Sequence, residues 1–251
     1  MTTVSSAGWN SAVYADQYDI TSWLDTADAS LEMGLEDVST LGVAAKQYAA
    51  TIADGGASLS GLWWNTAGAP VDSPQEYLAA VLGSTASRYL TIALEGADTV
   101  GDRSRSLKWQ RATIKPTIKA SNVLRFSIDV KADGGIDLGY LIRPKVTENA
   151  TTTGTGHDDL GAPGSTTNGA RLYVHVFSLT GTSPTQDITI EHSADNGGVD
   201  PWAALITVPQ ISTASAATMV AVTGTVKRYI RYVNTLKAGA TSIYALSFCR
   251  Q

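Results

Sequence analysis

Cysteine is almost absent from this sequence. Cys249 stands alone, which excludes an internal disulfide framework. Charge is sparse too: Asp, Glu, Lys and Arg make up 16% of 251 residues, against roughly 25% in an average soluble domain. Gly, Ala, Ser and Thr are abundant in their place, and a surface of small uncharged side chains suits dense self-association. No apolar run approaches bilayer-spanning length, and no basic, apolar leader opens the chain, so synthesis in a cytoplasm is expected. The marks of common chemistries are also missing: no G-x-S-x-G elbow, Walker A loop, H-E-x-x-H or dinucleotide fingerprint occurs. The expectation is a protein that is not an enzyme and has no cofactor, with no catalytic, cofactor-binding or metal residue assigned.

At 26.3 kDa the chain can bury a substantial core, as one large domain or two ordinary ones. Its net charge of −5 hides an asymmetry. Residues 1–98 hold twelve acids against only Lys46 and Arg88, whereas residues 99–143 hold nine bases against four acids. The ordinary reading is solvated faces on different strands; the functional alternative is contact between copies, an acidic surface of one meeting a basic surface of the next, with the charges fixing register. A nucleic-acid groove is disfavoured, because the bases alternate with apolar residues and few aromatics lie near them.

Strand-like segments recur along the chain: 18–24, 29–35, 57–64, 89–94, 106–120, 123–131 and 136–142. A short helix or helical turn is predicted around 43–50. A second is predicted from Pro74 to Leu82, capped by Ser73 with Glu76 as the capping-box partner and ended by Gly83. Residues 147–168 have almost no apolar side chains and read as a linker or long loop. Beyond them the pattern restarts at 170–179, 187–192, 202–208 and 218–222, and two closing runs, 224–233 and 240–250, read as a β-hairpin. Strand 170–179 is apolar on both faces, which requires a core on one side and a second layer or neighbour on the other. The predicted fold is mainly β: an N-terminal β-sandwich or barrel with a short helix over 1–146, the 147–168 linker, and a C-terminal sandwich of jelly-roll or immunoglobulin-like type over 169–251.

Candidate sites are few. His157 beside Asp158 and Asp159 has the composition of a metal cluster, in a loop (154–159) that names no further ligand, so an exposed polar loop is expected. The 193–200 loop, with Asp195, Asn196, Gly197 and Gly198, is oxygen-rich, but it lacks the EF-hand spacing and reads as a tight turn. His175 lies mid-strand and is expected to be a satisfied sheet histidine; His192 leads into a turn. Glu32, Glu36 and Asp37 are close enough in sequence to suggest paired glycosidase carboxylates, yet surface acids are the expectation. Trp63, Trp64, Trp109 and Trp202 supply aromatic area for sugar stacking, with Trp63 and Trp64 on opposite strand faces. Cys249 is expected to be a buried thiol at the end of a strand.

The segment DITSWLDTADASLEMGLEDVSTLGVAAKQYAATIADGGASLSGLWW, residues 19–64, resembles the major tail tube proteins of long-tailed (siphovirus-like) bacteriophages. Leu41–Gly42 stands in the family's turn, Thr51 to Gly55 in its "GL-x-DG" position, and Leu59 to Gly61 completes the returning strand. The helix from Pro74, the Gly101–Asp102 pair and the basic strands through Gly139 follow the same order, so the resemblance covers roughly 15–143. It implies a virion protein, assembled in the host cytoplasm, whose rings (usually sixfold) stack into a DNA-conducting tube. Tail terminator, tape-measure and tail-tip proteins would be its partners. Strands 106–142 and 57–64 would form the ring's inner sheet, the 36–56 loop would reach a neighbour, and the bases of 103–125 would avoid the lumen. The C-terminal part looks like the β-sandwich extension of some virion proteins. A head or tail-surface decoration protein and a carbohydrate-binding module are the alternative readings.

Overall fold

The computed structural model describes residues 11–37, 48–63, 74–81, 86–94, 96–117, 124–159 and 164–251. Strands dominate it. In chain order they begin with β1 (Ala12–Ala15) and β2 (Tyr18–Asp19); a 3-10 turn (Thr21–Trp23) then leads into β3 (Leu24–Asp37) and β4 (Tyr48–Leu62). The helix α1 (Pro74–Val81) precedes β5 (Arg88–Ala93), β6 (Arg103–Thr117), β7 (Arg125–Ala132) and β8 (Asp137–Glu148). The short β9 (Thr152–Thr153) and β10 (His157–Asp158) come next, then β11 (Ala170–Thr180), β12 (Gln186–Ser193) and β13 (Ala203–Thr207). The last are β14 (Ala216–Val222), β15 (Tyr229–Leu236) and β16 (Thr241–Arg250). The chain forms two compact units, one from Met1–Ser22, Arg88–Ser106 and Asp137–Gln251, the other from Trp23–Ser87 and Leu107–Ile136.

The smaller unit is an antiparallel sheet in the order β3-β4-β7-β6. Alternation sorts its side chains: Ala29, Ala57, Leu59, Phe126, Ile128 and Val130 are buried. The opposite face is polar, and on it the Ser58 hydroxyl donates to Asp129 at 2.7 Å. Pro74 opens α1 at a position where its missing N–H costs nothing. Four residues apart, Tyr77 and Val81 are both buried, and the Tyr77 ring lies 6.2 Å from that of Trp23. Glycine is required at 61, because a Cβ there would sit 1.9 Å from the Trp23 carbonyl oxygen.

The larger unit stacks two sheets. One runs β14-β11-β16-β8 and continues through the start of β6 to β5, β1 and β2; the other runs β10-β15-β12-β13, with β9 also on β15. Leu172, Val174 and Val176 of β11 join Tyr244, Leu246 and Phe248 of β16 and Ile188, Ile190, Ile206 and Ile230 of the facing sheet in one core. Each such side chain contributes about 1.5–3 kcal/mol when fully buried. The other face of β11 is covered as well. Tyr14 of β1 lies 5.2 Å from the Phe177 ring and 5.8 Å from His175, so the second layer over this strand comes from the N-terminal segment.

A buried carboxylate ties the two sheets together. Glu148, 7% exposed at the end of β8, accepts from the Tyr244 hydroxyl of β16 at 2.7 Å and from the Asn234 amide of β15 at 2.8 Å, and it pairs with Arg143. Asn234 in turn accepts from Gln186 of β12 at 3.0 Å, whose oxygen accepts from Ser242 at 2.9 Å. Burial alone would raise the Glu148 pKa. The hydrogen bonds from Tyr244 and Asn234, with the Arg143 charge, outweigh it and hold the carboxyl below the usual glutamate range.

Several sequence expectations are corrected. The closing runs are not a hairpin: β15 pairs with β12, β10 and β9, while β16 pairs with β11 and β8. The turn between them, closed by the Ala240 N–H on the Lys237 carbonyl and by Gly239 at φ +79°, passes the chain from one sheet to the other. Residues 147–168 are no linker, since Thr152, Thr153, His157 and Asp158 pair with β15 and Thr166 bridges to Val226. Main-chain hydrogen bonds need no apolar side chains, which is why composition concealed them. The units therefore do not follow the 1–146 and 169–251 division, because β8 and the N-terminal strands belong with the C-terminal sandwich. The 18–24 strand is two residues of β2 and a 3-10 turn, and residues 48–50 are strand, not helix. Residues 38–47, which include Leu41–Gly42, lie outside the described residues, as do Ser73, Leu82 and Gly83.

Glu148→Gln keeps the shape but removes the charge facing Arg143, and should cost on the order of 3 kcal/mol at pH 7 in urea unfolding. A carboxyl held low in the folded state contributes fully above its unfolded value, about 4.3, and progressively less as pH falls through the folded value. The stability gap to Glu148→Gln should therefore narrow in acid. A gap that does not change with pH would remove the carboxylate's charge from this role.

Candidate functional site

Asp158 and Asp159, the acids beside His157, are each held by an arginine. Asp158 pairs with Arg228. Asp159 receives Nε and Nη2 of Arg250, both at 2.8 Å, and the same guanidinium donates to the carbonyls of Val226, Lys227 and Arg228. His157 lies against Tyr140, ring centroids 4.7 Å apart. Two carboxylates paired with guanidinium groups make a poor cation site. Among the described residues no group of three or more His, Cys, Asp or Glu is placed to hold a metal.

The 193–200 loop satisfies itself in the same way. The Asp195 carboxylate accepts the backbone N–H groups of Gly198 at 3.0 Å, Val199 at 2.5 Å and Asp200 at 3.1 Å, and those bonds lower its pKa. Asn196 (φ 65°) and Gly197 (φ 82°) make the reversal, and Lys227 binds Asp200 at 2.7 Å. This is a turn built around one carboxylate. His192 accepts from the Lys227 N–H at 3.3 Å, its pKa lowered by burial and then by Lys227.

His175 is fully buried, and its bonds fix the direction of a hydroxyl chain. Nδ1 lies 2.6 Å from the Asp16 carbonyl oxygen, which only accepts, so Nδ1 carries the proton. Burial lowers the His175 pKa and keeps the ring neutral, so Thr91 donates to Nε2 at 2.9 Å. Thr91 must then accept from Ser106 (2.9 Å), Ser106 from Ser247 (3.0 Å) and Ser247 from Ser104 (2.8 Å). Each hydroxyl has spent its single hydrogen, and Ser104, Ser106, Ser247 and Thr91 are all buried. A Ser–His nucleophile needs an exposed hydroxyl, and none of these four is exposed. The role of the hydroxyl chain is to satisfy the polar groups between strands.

Among the described residues the tryptophans assemble no sugar platform. Trp109 is buried at 3% exposure in the smaller unit, and Trp63 meets Phe126 edge-on at 6.3 Å. Trp202 carries the Arg231 guanidinium 4.4 Å over its ring, and the Gly197 backbone is so close that a Cβ would come within 2.3 Å of the indole nitrogen. Trp64 lies outside the described residues. Glu32, Glu36 and Asp37 stand on β3 opposite Asp54, Ala49 and Tyr48, with side chains outside the description.

The smaller unit's sheet provides the other candidate surface. β3 and the part of β6 from Leu107 onward are its outer strands. β3 carries Asp25, Asp28, Glu32, Glu36 and Asp37 and no base; that part of β6 carries Lys108, Arg111 and Lys115 and no acid. On the polar face Arg125 pairs with Asp25, and Lys115 approaches Asp129 at 3.9 Å. Charge segregated by strand was visible in the sequence; its placement on opposite edges of one sheet was not.

No family profile matches the chain, and no curated protein matches its sequence. Among solved structures it is similar to a chain of the virion of a native gene transfer agent particle, at 10% identity over 53% of this chain and 98% of that one, with a TM-score of 0.42. A chain of the tail of the empty gene transfer agent particle, refined with C6 symmetry, gives 11% identity over 53% and 97%, with a TM-score of 0.35. The SPP1 Dit (gp 19.1) protein, a hub of the adsorption apparatus of phages infecting Gram-positive bacteria, gives 12% identity over 94% and 98%, also at 0.35. At such identities and scores these likenesses carry no functional argument. Among the described residues no helix is long and apolar enough to cross a membrane.

Cys249 is fully buried, and burial, followed by the charge of Asp137, pushes its thiol up to about 12. Because the thiolate is the reactive form, a water-soluble alkylating reagent at pH 8 should leave Cys249 unmodified in the native protein and label it fully in urea. Rapid native labelling would mean that β16 is exposed.

Proposed function

We propose that the protein is a non-enzymatic structural subunit of a phage tail, and more specifically the major tail tube subunit, assembling into stacked sixfold rings around a DNA channel. The observation that carries this reading is the sheet of the smaller unit, with an acidic outer strand and a basic one. An acidic edge of one copy against a basic edge of the next is a heterologous contact, and such contacts close into rings or extend into filaments. Unpaired edge N–H and C=O groups supply the adhesion and the charges supply register. The resemblance of residues 19–64 to tail tube proteins falls on the β3–β4 hairpin of this same sheet.

In this reading the serine-bearing face of the sheet, with Ser58, Ser60 and Ser127, lines the channel. The expectation that bases avoid the lumen is refined: Arg125 and Lys115 stand on that face but have Asp25 and Asp129 as partners. A nearly neutral surface leaves few free cations for sliding phosphates to grip. The terminator, tape-measure and tip proteins that the resemblance implies, and a place in the virion, belong to the same proposal.

Negative-stain microscopy of the purified protein should show rings or hollow tubes. Asp28→Lys should abolish them, and pairing it with Lys115→Asp should restore them, since the charge pattern is then exchanged between edges. A protein that stays monomeric at every salt concentration, and that binds only to added capsids, would shift the reading to surface decoration.

A further inference from the structure

In the larger unit the second sheet stops short of β6. Between β10 and the β6–β8 strands lies a cleft of about 710 Å³. This is the size of a small-molecule site, since such pockets span roughly 300–1,000 Å³. Its register is set by the β6–β8 ladder, in which Arg103 faces Tyr140 and Arg105 faces Leu138. Opposed residues of an antiparallel pair share a face, so two arginines, a tyrosine and a leucine are presented together.

The charges of the cleft do not cancel. Asp158 and Asp159 line it, but Arg228 and Arg250 already hold them. The Arg103 side chain is exposed and has no ion-pair or hydrogen-bond partner. The surplus is therefore positive. Tyr140 is 7% exposed, and its buried hydroxyl stands beside the Asp159 carboxylate, which acts on it by charge and by a hydrogen bond of poor geometry. A buried donor left poorly satisfied costs up to about 1–3 kcal/mol, and a well-placed acceptor entering the cleft would recover part of it. Leu94 and Leu138 add apolar lining, and Leu138 is 63% exposed where a buried partner would be expected.

We propose that this cleft binds an organic oxyanion, a carboxylate or phosphate monoester on a small apolar body. Arg103 pairs with the anion, Tyr140 donates from the floor, and Leu94 and Leu138 pack against the apolar part. Cations are disfavoured because the cleft's acids are already paired, and a bare inorganic ion would leave most of the volume unfilled. The inference is independent of the assembly reading, since every lining residue belongs to one unit of one chain.

Equilibrium dialysis of the full chain against labelled phenyl phosphate and, separately, 3-phenylpropanoate tests it in any assembly state. Saturable binding of one or both is expected. Arg103→Gln should weaken it about tenfold or more, as loss of a charge-assisted contact does, and Tyr140→Phe several-fold. Lys237→Gln, exposed just beyond the far end of β15, should leave it unchanged, and unaltered melting temperatures would exclude misfolding. Binding of the phosphate alone would identify a phosphate ester as the ligand, and binding of the carboxylate alone an acidic side chain or metabolite. No saturable binding of either probe, or equal binding by wild type and Arg103→Gln, would overturn the proposal.

Discussion

The larger unit depends on the placement of one carboxylate. Apolar packing brings its two sheets together but is non-directional, and a core of Ile, Val and Leu tolerates sliding. Glu148 does not. Its oxygens are claimed by Tyr244 from its own sheet, by Asn234 from the facing sheet and by Arg143 from its own strand. Any slip of one sheet over the other would leave a buried charge without partners. Buried polar networks of this kind act chiefly by making alternatives costly. Asp137 repeats the device at the start of the same strand, gathering Arg171 at 2.9 Å, Tyr173 at 2.6 Å and Gln251 at 3.1 Å. Strand β8 is thus pinned at both ends by acids.

That economy explains how a chain with so little charge can spend much of it inside. Asp16, Asp137 and Glu148 are buried with guanidinium partners, and Asp159 and Arg250 are only 10% and 9% exposed. The smaller unit, by contrast, separates acids and bases onto different outer strands. Interior charges set the register of the fold; exterior charges are left to set the register of contacts with other molecules.

The period-two pattern made the strands of the smaller unit legible, because one face of 123–131 is plainly apolar, and Pro74 marked the helix. The two buried faces of 170–179 were also legible. The pairing of strands was not. Alternation reports which face is buried and nothing about which strand lies alongside, so 224–233 and 240–250 read as partners although they belong to opposite sheets. Ala12–Ala15 was missed because it is only four residues long and all four are buried, so it gives no alternation. The candidate sites followed the same rule. His157, Asp158 and Asp159 were visible as a cluster, but their arginine partners come from 70 and 91 residues away in the chain. Glu148 fell in a segment that composition marked as a loop.

The position of β16 sets the order of events during folding. It is the latest strand of its sheet in the chain, yet it lies between β11 and β8 at the centre of the core. Until it arrives, two long strands present open edges, of the kind that recruit other chains. Closure joins segments far apart in sequence, which slows folding because loop entropy is lost before contacts repay it. A cell that makes many copies at once must keep those edges apart for as long as a ribosome takes to reach residue 250.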